Sequence, residues 1–244
     1  VAVEIDPPFA ALTESVVNTH FAINEGRMQA VGAKREHVRL LSGDVLDGKN
    51  SLNPVLLKSV RDVLALSGTK RVKLVANLPY AVAVPVLSNL LLTDLPVERM
   101  VGMIQWELAE RLMAAPSTKE YGALAVLVQS LATVELVRKV PPTVFHPRPK
   151  VDSAIVLIRP DPAKRAHVGD VRQLRNFLRD VYVHRRKNLR GALSTMPSGK
   201  LDKAEVDARL AKLGIDGAAR AESLGLEDHL RLAQEFGTAT PEDA

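Results

Sequence analysis

The stretch Val72–Tyr80, VKLVANLPY, joins a strand pattern to a polar turn. Its first residues are mostly β-branched or apolar, which is typical of a buried strand. Pro79 makes the turn rigid and disfavours a helical conformation at Leu78, so the carbonyls of Asn77 and Leu78 can point out from the sheet edge. Tyr80 adds a flat face beside these acceptors. Such a set suits a planar base whose exocyclic amine reacts, and the alternative is a structural turn with a packed tyrosine.

Other strand-like runs lie on both sides of this stretch, up to residue 160. They are VAVEI (1–5), HVRLLSGD (37–44), VERMVGMIQ (97–105) and SAIVLIRP (153–160). Helix-length segments separate them, which indicates a mostly parallel sheet with helices on its faces. The α/β fold class follows from this alternation.

The hydrophobic pattern of the sequence changes near Pro160. Beyond it the sequence shows amphipathic helical patterns at 170–193, 202–215 and 226–236 and no further strand pattern. We therefore expect two domains, a sheet domain over 1–160 and a small helical domain over 161–244.

Composition restricts the classes of function. The 244 residues contain no cysteine, which excludes disulfides and thiolate metal sites. No apolar run approaches the roughly 18 residues that a membrane span needs, and no secretory signal is visible, so we expect a cytoplasmic protein with no membrane partner. The net charge of +5 suits an anionic partner.

Two acidic residues follow the first two predicted strands. A carboxylate at Glu4 can accept hydrogen bonds from the two hydroxyls of a ribose, whereas the neighbouring Asp6 fits a helix cap better. Asp44 follows Gly43 and can accept from the amino group of an adenine, or it forms only a local turn. Both acids are candidate cofactor contacts.

The segment VFHPRPKVDSAIV (144–156) leads into the last predicted strand of the sheet. Phe145 can supply a second aromatic wall opposite Tyr80, and Lys150 can meet a phosphate. The alternative is a buried phenylalanine in an edge loop whose prolines fix its course.

A basic cluster lies just after the predicted domain boundary. Residues 165–190 contain eight Arg or Lys and two Asp, a local charge of +6. Such runs are often solvated helix faces, but this one is concentrated at the junction, which favours phosphate contacts. The candidate phosphate-binding residues, which the resemblance described next implies to be RNA-binding residues, are Lys150, Arg185, Arg186, Lys187 and Arg190.

Three motifs together resemble the ribosomal RNA adenine dimethyltransferase family: NLPY (77–80), PRPKVDSAIV (147–156) and YVHRRKNLRGAL (182–193). VEID (3–6) and GDVL (43–46) are similar to its cofactor-binding segments, and RAESLGLEDHLRL (220–232) to its C-terminal signature. The resemblance covers nearly the whole chain, in order.

The resemblance implies a Rossmann-like S-adenosylmethionine-dependent methyltransferase sheet with a small C-terminal helical domain. It implies dimethylation of adenosine N6 in small-subunit (16S) rRNA, near its 3′ end, during ribosome biogenesis. Asn77, Leu78, Pro79, Tyr80 and Phe145 would then be the catalytic residues. The family also implies that Glu4, Asp44 and Asn77 contact S-adenosylmethionine. Its expected partner is a precursor of the small ribosomal subunit, bound by a monomer without a metal.

The chain departs from the family pattern at several places. Trp106 stands where family members commonly have Lys, and AVAVPV (81–86) replaces a more polar segment after Tyr80. No glycine-rich loop precedes Glu4, so we expect an N-terminally truncated member that binds S-adenosylmethionine weakly or not at all. Micromolar binding by residues 1–244 in calorimetry would contradict this expectation.

Two alternative functions are compatible with the motifs. One is a methyltransferase of the same fold that acts on large-subunit rRNA and confers resistance. The other is a non-catalytic RNA-binding factor for ribosome assembly. An intact Asn77 and Tyr80 argue against lost catalysis.

Overall fold

A computed structural model describes residues 1–31, 38–48 and 51–238 of the chain. The chain divides into two compact units, Val1–Arg71 and Val72–Ala244. Within the described residues no helix is both long and apolar enough to cross a membrane.

The first unit pairs two short parallel strands and carries two helices. Its elements are β1 (Ala2–Glu4), α1 (Pro7–Val31), β2 (Leu40–Ser42), β3 (Leu46–Asp47), β4 (Ser51–Leu52) and α2 (Pro54–Ser67). β1 lies parallel to β2, and β3 is antiparallel to β4.

Local sequence signals account for both helix starts in this unit. The Asp6 carboxylate accepts a hydrogen bond from the Phe9 amide at 3.3 Å, as its expected role as a helix cap requires. Asn53 caps α2 by accepting from the Val55 amide, and Gly68, with φ of 67°, ends it in the left-handed conformation. The first two helix-length segments that the sequence predicts between strands are therefore confirmed as the helices α1 and α2.

The second unit contains a four-stranded sheet in the order β5-β6-β8-β7. Its strands are β5 (Val72–Asn77), β6 (Val97–Gln105), β7 (Ala132–Val140) and β8 (Ser153–Pro160). β5 and β6 are parallel, whereas β8 is antiparallel to both of its neighbours. The mixed sheet thus carries fewer parallel pairings than the sequence indicates.

Strand β7 has no counterpart among the strands predicted from the sequence. It is an edge strand, and most of its side chains between Thr133 and Lys139 are exposed. Because edge strands tolerate charged residues, Glu135, Arg138 and Lys139 interrupt the apolar pattern that reveals the other strands. A register irregularity between Leu136 and Arg138 disturbs the alternation further.

Helices α3 (Tyr80–Leu92), α4 (Trp106–Met113) and α5 (Ala123–Gln129) accompany this sheet. Among the residues whose side chains the structure describes, the largest fully buried ones lie in the second unit. They are Tyr121, Leu87, Met100, Ile104, Leu112, Leu131, Ile158, Leu174, Leu178, Leu189, Leu193 and Leu210. Burial of such side chains contributes about 1.5–3 kcal/mol each before the entropy cost of ordering them.

Beyond β8 the described chain is helical, as the sequence predicts. The helices are α6 (Pro162–Val168), α7 (Val171–Val183), α8 (Leu189–Leu193), α9 (Lys203–Leu213) and α10 (Leu226–Phe236), with a 3-10 turn at Ala221–Ser223. The predicted single helix over 170–193 is wrong, because the chain leaves α7 at His184 and Asn188 caps a new helix. The domain boundary at residue 160 remains a prediction.

Candidate active site

The NLPY turn lies at the carboxyl end of β5. Asn77 is the last residue of the strand, and its side chain is exposed. The Leu78 amide donates to the Met103 carbonyl at 3.2 Å, and the Leu78 side chain is buried. This anchoring fixes the turn against β6, so the backbone at Leu78 has little freedom.

The two predicted acceptors are available for a ligand. Within the described part of the chain, no donor bonds to the Asn77 side-chain amide or to the Leu78 carbonyl. The Pro79 carbonyl accepts the first amides of α3, from Val82 and Ala83, both at 3.1 Å. The Leu78 carbonyl is therefore left out of the helix ladder, as the proline in the sequence predicts.

Tyr80 begins α3 and keeps 42% of its surface exposed. Its hydroxyl lies 3.4 Å from the Ser153 hydroxyl, and Ser153 is itself buried. Ser153 is the first residue of β8 and pairs with Gln105 of β6. This contact fixes the phenol end of the ring and leaves an accessible ring surface.

Phe145 and Lys150 lie in the segment 141–152 that connects β7 to β8. Phe145 follows a 3-10 turn (Pro142–Val144), donates its amide to the Pro142 carbonyl at 3.3 Å, and is half-buried. Lys150 is exposed. In this described region the rings of Phe145 and Tyr80 do not touch, and their placement as two walls of one pocket stays a prediction.

Glu4 and Asp44 lie in the first unit, at the carboxyl ends of adjacent parallel strands. Glu4 is opposite Ser42 in the register, and the Gly43 amide donates to the Glu4 carbonyl at 2.8 Å. One Glu4 carboxylate oxygen accepts from the Asp6 amide at 3.0 Å, and one Asp44 oxygen accepts from the Leu46 amide at 2.9 Å.

The structure brings these two predicted cofactor contacts to one edge of the β1–β2 pair. Each carboxylate uses one oxygen to hold its own turn, so the local turn at Asp44 is present, whereas its contact with a cofactor stays a prediction. Within residues 1–31, 38–48 and 51–238 the second oxygen of each accepts no hydrogen bond. Both acids thus retain an acceptor for a polar ligand.

The four basic residues predicted to meet RNA after α7 differ in their surroundings. Arg185 lies 2.8 Å from Glu222 and donates to the Lys119 carbonyl at 2.6 Å. Arg190 lies 2.6 Å from Asp207, and Lys187 donates to the Thr195 hydroxyl at 3.3 Å. Arg186 is exposed and has no ion-pair partner in the described parts of the chain. Residues 185–187 lie in the turn between α7 and α8 and not on a helix, which corrects the sequence-based placement.

Comparison with known proteins connects this geometry to a family. Residues 1–237 match the model of the family described as ribosomal RNA adenine dimethylase. The chain belongs to the ribosomal RNA adenine dimethylase family. The resemblance noted in the motifs is confirmed.

Named relatives of this dimethylase-family chain agree with that assignment. It is 34% identical over 93% of its length to a ribosomal RNA small subunit methyltransferase A from Halothermothrix orenii, and covers 75% of that protein. It is 36% identical over 95% of its length to the protein of the same name from Geobacillus kaustophilus, and covers 80% of it.

Solved structures confirm the fold class of this dimethylase-family chain. A dimethyladenosine transferase from Plasmodium falciparum matches with a TM-score of 0.59 at 22% identity, over 75% of this chain and 79% of that one. The 23S rRNA methyltransferase ErmE matches with a TM-score of 0.52 at 21% identity, over 96% and 80%. At these identities the likeness concerns the fold.

The dimethylase-family chain also contains a buried polar cluster that the sequence did not reveal. His229 of α10 is fully buried, and its Nδ1 lies 2.8 Å from the Gly225 carbonyl. Because a carbonyl only accepts, Nδ1 carries the proton, and Nε2 accepts from the Tyr182 hydroxyl at 3.2 Å. The rings of His229 and Tyr182 stack with centroids 5.9 Å apart.

Burial shifts the titration of each member of this cluster. Loss of hydration lowers the pKa of His229 and raises the pKa of Tyr182. It raises the pKa of Tyr121, whose ring meets His229 edge-on, to about 12. All three side chains are therefore neutral near pH 7, and they join α7 and α10 to the start of α5.

Proposed function

We propose that the chain dimethylates N6 of adenosines in small-subunit (16S) rRNA, near its 3′ end, with S-adenosylmethionine as methyl donor. The observation that carries this proposal is the NLPY turn. Two unpaired acceptors, the Asn77 amide oxygen and the Leu78 carbonyl, lie next to the half-exposed ring of Tyr80. The relatives named for small-subunit rRNA methylation support the same substrate.

The acceptor pair would activate the target amine. The N6 lone pair of adenine is delocalised into the ring, so the amine is a weak nucleophile. Hydrogen bonds from its two N–H groups to Asn77 and the Leu78 carbonyl favour a pyramidal nitrogen with a localised lone pair. Since β6 anchors the Leu78 amide, the acceptors are oriented before the base arrives, which lowers the cost of alignment.

The aromatic residues would hold the base flat. Tyr80 presents an exposed ring surface whose far end is fixed by Ser153. Phe145 supplies the second wall in this proposal. Stacking on such a wall stabilises a base by about 1–3 kcal/mol.

Glu4 and Asp44 fit a nucleoside cofactor. Two carboxylates with one unpaired oxygen each, at the ends of neighbouring parallel strands, can accept from ribose hydroxyls and from an adenine amino group. When bound, S-adenosylmethionine supplies an activated methyl group on its sulfonium. Asn77, the third residue of this proposed set, ends β5.

RNA phosphates would contact the basic residues that have no carboxylate partner in the part of the chain that the structure describes, foremost Arg186, Lys187 and Lys150. Arg185 and Arg190 already face carboxylates, so they contribute less new charge to RNA.

We further propose that a cytoplasmic monomer acts on a precursor of the small subunit, with a domain boundary at residue 160. Within the described residues, no group of three or more His, Cys, Asp or Glu is placed to hold a metal ion.

The test is methyl transfer from labelled S-adenosylmethionine to small-subunit particles that lack the modification. The full-length protein should label adenosine N6 in the small-subunit rRNA, and Asn77→Ala should abolish the labelling. Asn77→Asp keeps an acceptor oxygen at the same place and should retain more activity than Asn77→Ala. Labelling of 23S rRNA alone would favour the large-subunit alternative. RNA binding without transfer would favour the assembly factor.

A further inference from the structure

Three side chains meet at the base of the segment 141–152. The Lys139 ammonium lies 3.0 Å from an Asp152 carboxylate oxygen and 4.3 Å from the centroid of the Trp106 ring. The Trp106 amide donates to the Asp152 carbonyl at 3.0 Å. Lys139, Asp152 and Trp106, the base cluster, therefore hold one another through an ion pair, a cation–π contact and a backbone hydrogen bond.

The base cluster joins the two ends of the segment. Lys139 is the penultimate residue of β7, and Asp152 directly precedes β8, so the ion pair closes the segment on which Phe145 and Lys150 lie. Trp106 begins α4 directly after β6, the strand that anchors the NLPY turn.

Asp152 is also next to Ser153, the residue that contacts the Tyr80 hydroxyl. A displacement of Asp152 would therefore affect both the segment that carries Phe145 and the anchor of Tyr80. Neither the motifs nor the family assignment gives a role to Lys139.

We propose that Lys139 is a positioning residue that, through Asp152 and Trp106, sets the position of the 141–152 segment for RNA substrate. This inference rests on the proposed function, because Phe145 and Lys150 meet RNA only in that proposal. The Lys139 ammonium lies between the Asp152 carboxylate and the Trp106 ring. A neutral side chain of similar length can fill this space but cannot form the ion pair or the cation–π contact.

The variants for the test are Lys139→Met, which keeps the aliphatic stem, and Lys139→Arg, which keeps the cation. Glu135→Gln is the matched control. It breaks the ion pair of Glu135 with Arg159 (2.6 Å), which also connects β7 and β8 but lies away from the segment.

Methyl transfer is measured first, as kcat and KM for small-subunit particles. Lys139→Met should lower kcat/KM roughly five- to tenfold, a loss expected from one partly exposed ion pair plus one cation–π contact. Lys139→Arg should recover most of this loss, and Glu135→Gln should stay near the wild-type value. A wild-type kcat/KM in Lys139→Met, or an equal loss in Glu135→Gln, would overturn the proposal.

Fluorescence of the chain without RNA provides the second readout. Trp106 is the only tryptophan, so its emission reports on the base cluster alone. Acrylamide should quench Trp106 emission more strongly in Lys139→Met than in wild type, because the ring loses its covering cation. Quenching in Glu135→Gln should equal that in wild type.

The two readouts separate this inference from the proposed function. If wild type binds S-adenosylmethionine and small-subunit particles but transfers no methyl group, the proposed function fails, while the quenching still shows whether Lys139 covers Trp106. If quenching rises in Lys139→Met but kcat/KM is unchanged, the contact exists and the positioning role is wrong.

Discussion

The hydroxyl oxygens of Tyr80 and Ser153 lie 3.4 Å apart and join the first residue of α3 to the first residue of β8. The two residues are separated by 73 positions in the sequence. The contact holds the edge of the Tyr80 ring, so the ring and its hydroxyl have separable roles. In the proposed function the ring stacks on the target base, and the hydroxyl orients the ring.

Substitutions at Tyr80 test this separation. Tyr80→Ala removes the stacking surface and should lower kcat/KM for methyl transfer by roughly 10- to 100-fold, in line with a loss of about 1–3 kcal/mol. Tyr80→Phe and Ser153→Ala keep the ring and remove only one hydrogen bond, so each should stay within about fivefold of wild type. An equal loss in Tyr80→Phe and Tyr80→Ala would show that the hydroxyl, and not the ring face, determines the rate.

Arg186 and Arg190 test which basic residues contact phosphate. Both lie after α7, but within the described parts of the chain only Arg190 has a carboxylate partner, Asp207 at 2.6 Å. Arg186→Ala should reduce the slope of log binding constant against log salt by about one unit for small-subunit rRNA, whereas Arg190→Ala should change it less. Binding is measured by filter retention at several salt concentrations. An unchanged slope in Arg186→Ala would remove this residue from the interface.

Local signals predicted the parts of the fold that depend on neighbours in sequence. The proline in the NLPY turn and Asp6 before α1 act within a few residues, and the structure shows the turn and the cap. Asn188 is a helix-capping signal of the same kind, and it does not appear among the sequence-based predictions. Its side chain accepts from the Gly191 amide and starts α8, which places Arg185 to Lys187 in a turn.

Features that depend on distant partners were not predictable from the sequence. Arg185 forms an ion pair with Glu222 only because the 3-10 turn at Ala221–Ser223 lies near the end of α7. The base cluster likewise requires β7, an edge strand whose charged residues conceal its pattern. The roles of Glu4, Asp44 and Phe145 remain predictions.

Tyr121 and Tyr182 offer a paired test of the buried polar cluster. The Tyr121 hydroxyl is buried and has no hydrogen-bond partner among the described residues, whereas the Tyr182 hydroxyl bonds to His229. Tyr121→Phe should leave the free energy of unfolding unchanged or raise it by up to about 1 kcal/mol, because it removes an unsatisfied group. Tyr182→Phe should lower it by about 1 kcal/mol, because it leaves His229 Nε2 without a donor.

Urea denaturation followed by Trp106 emission measures both substitutions, since Trp106 and both tyrosines belong to the second unit. A larger destabilisation by Tyr121→Phe than by Tyr182→Phe would contradict the hydrogen-bond assignment.

The stability of the second unit should fall in mild acid because of His229. Burial lowers the pKa of this imidazole in the folded chain, despite opposing contributions from the Gly225 carbonyl and Asp228. The unfolded chain, where His titrates near 6.5, then binds more protons than the folded chain, so the free energy of unfolding decreases as pH falls below about 6.5. The decrease has a limiting slope of about 1.4 kcal/mol per pH unit and ends at the folded pKa.

His229→Gln removes the titrating group and should flatten this dependence between about pH 6.5 and pH 5, whatever its effect on absolute stability. Tyr121→Phe is the control, because it leaves the imidazole buried against Gly225 and keeps the Tyr182 hydroxyl bonded to Nε2. Urea denaturation at half-unit pH steps, followed by Trp106 emission, gives the slope for each protein. A slope in His229→Gln equal to that of wild type would assign the acid sensitivity to other groups. A flattened slope in Tyr121→Phe would mean that the packing of the cluster, and not titration of the imidazole, determines the slope.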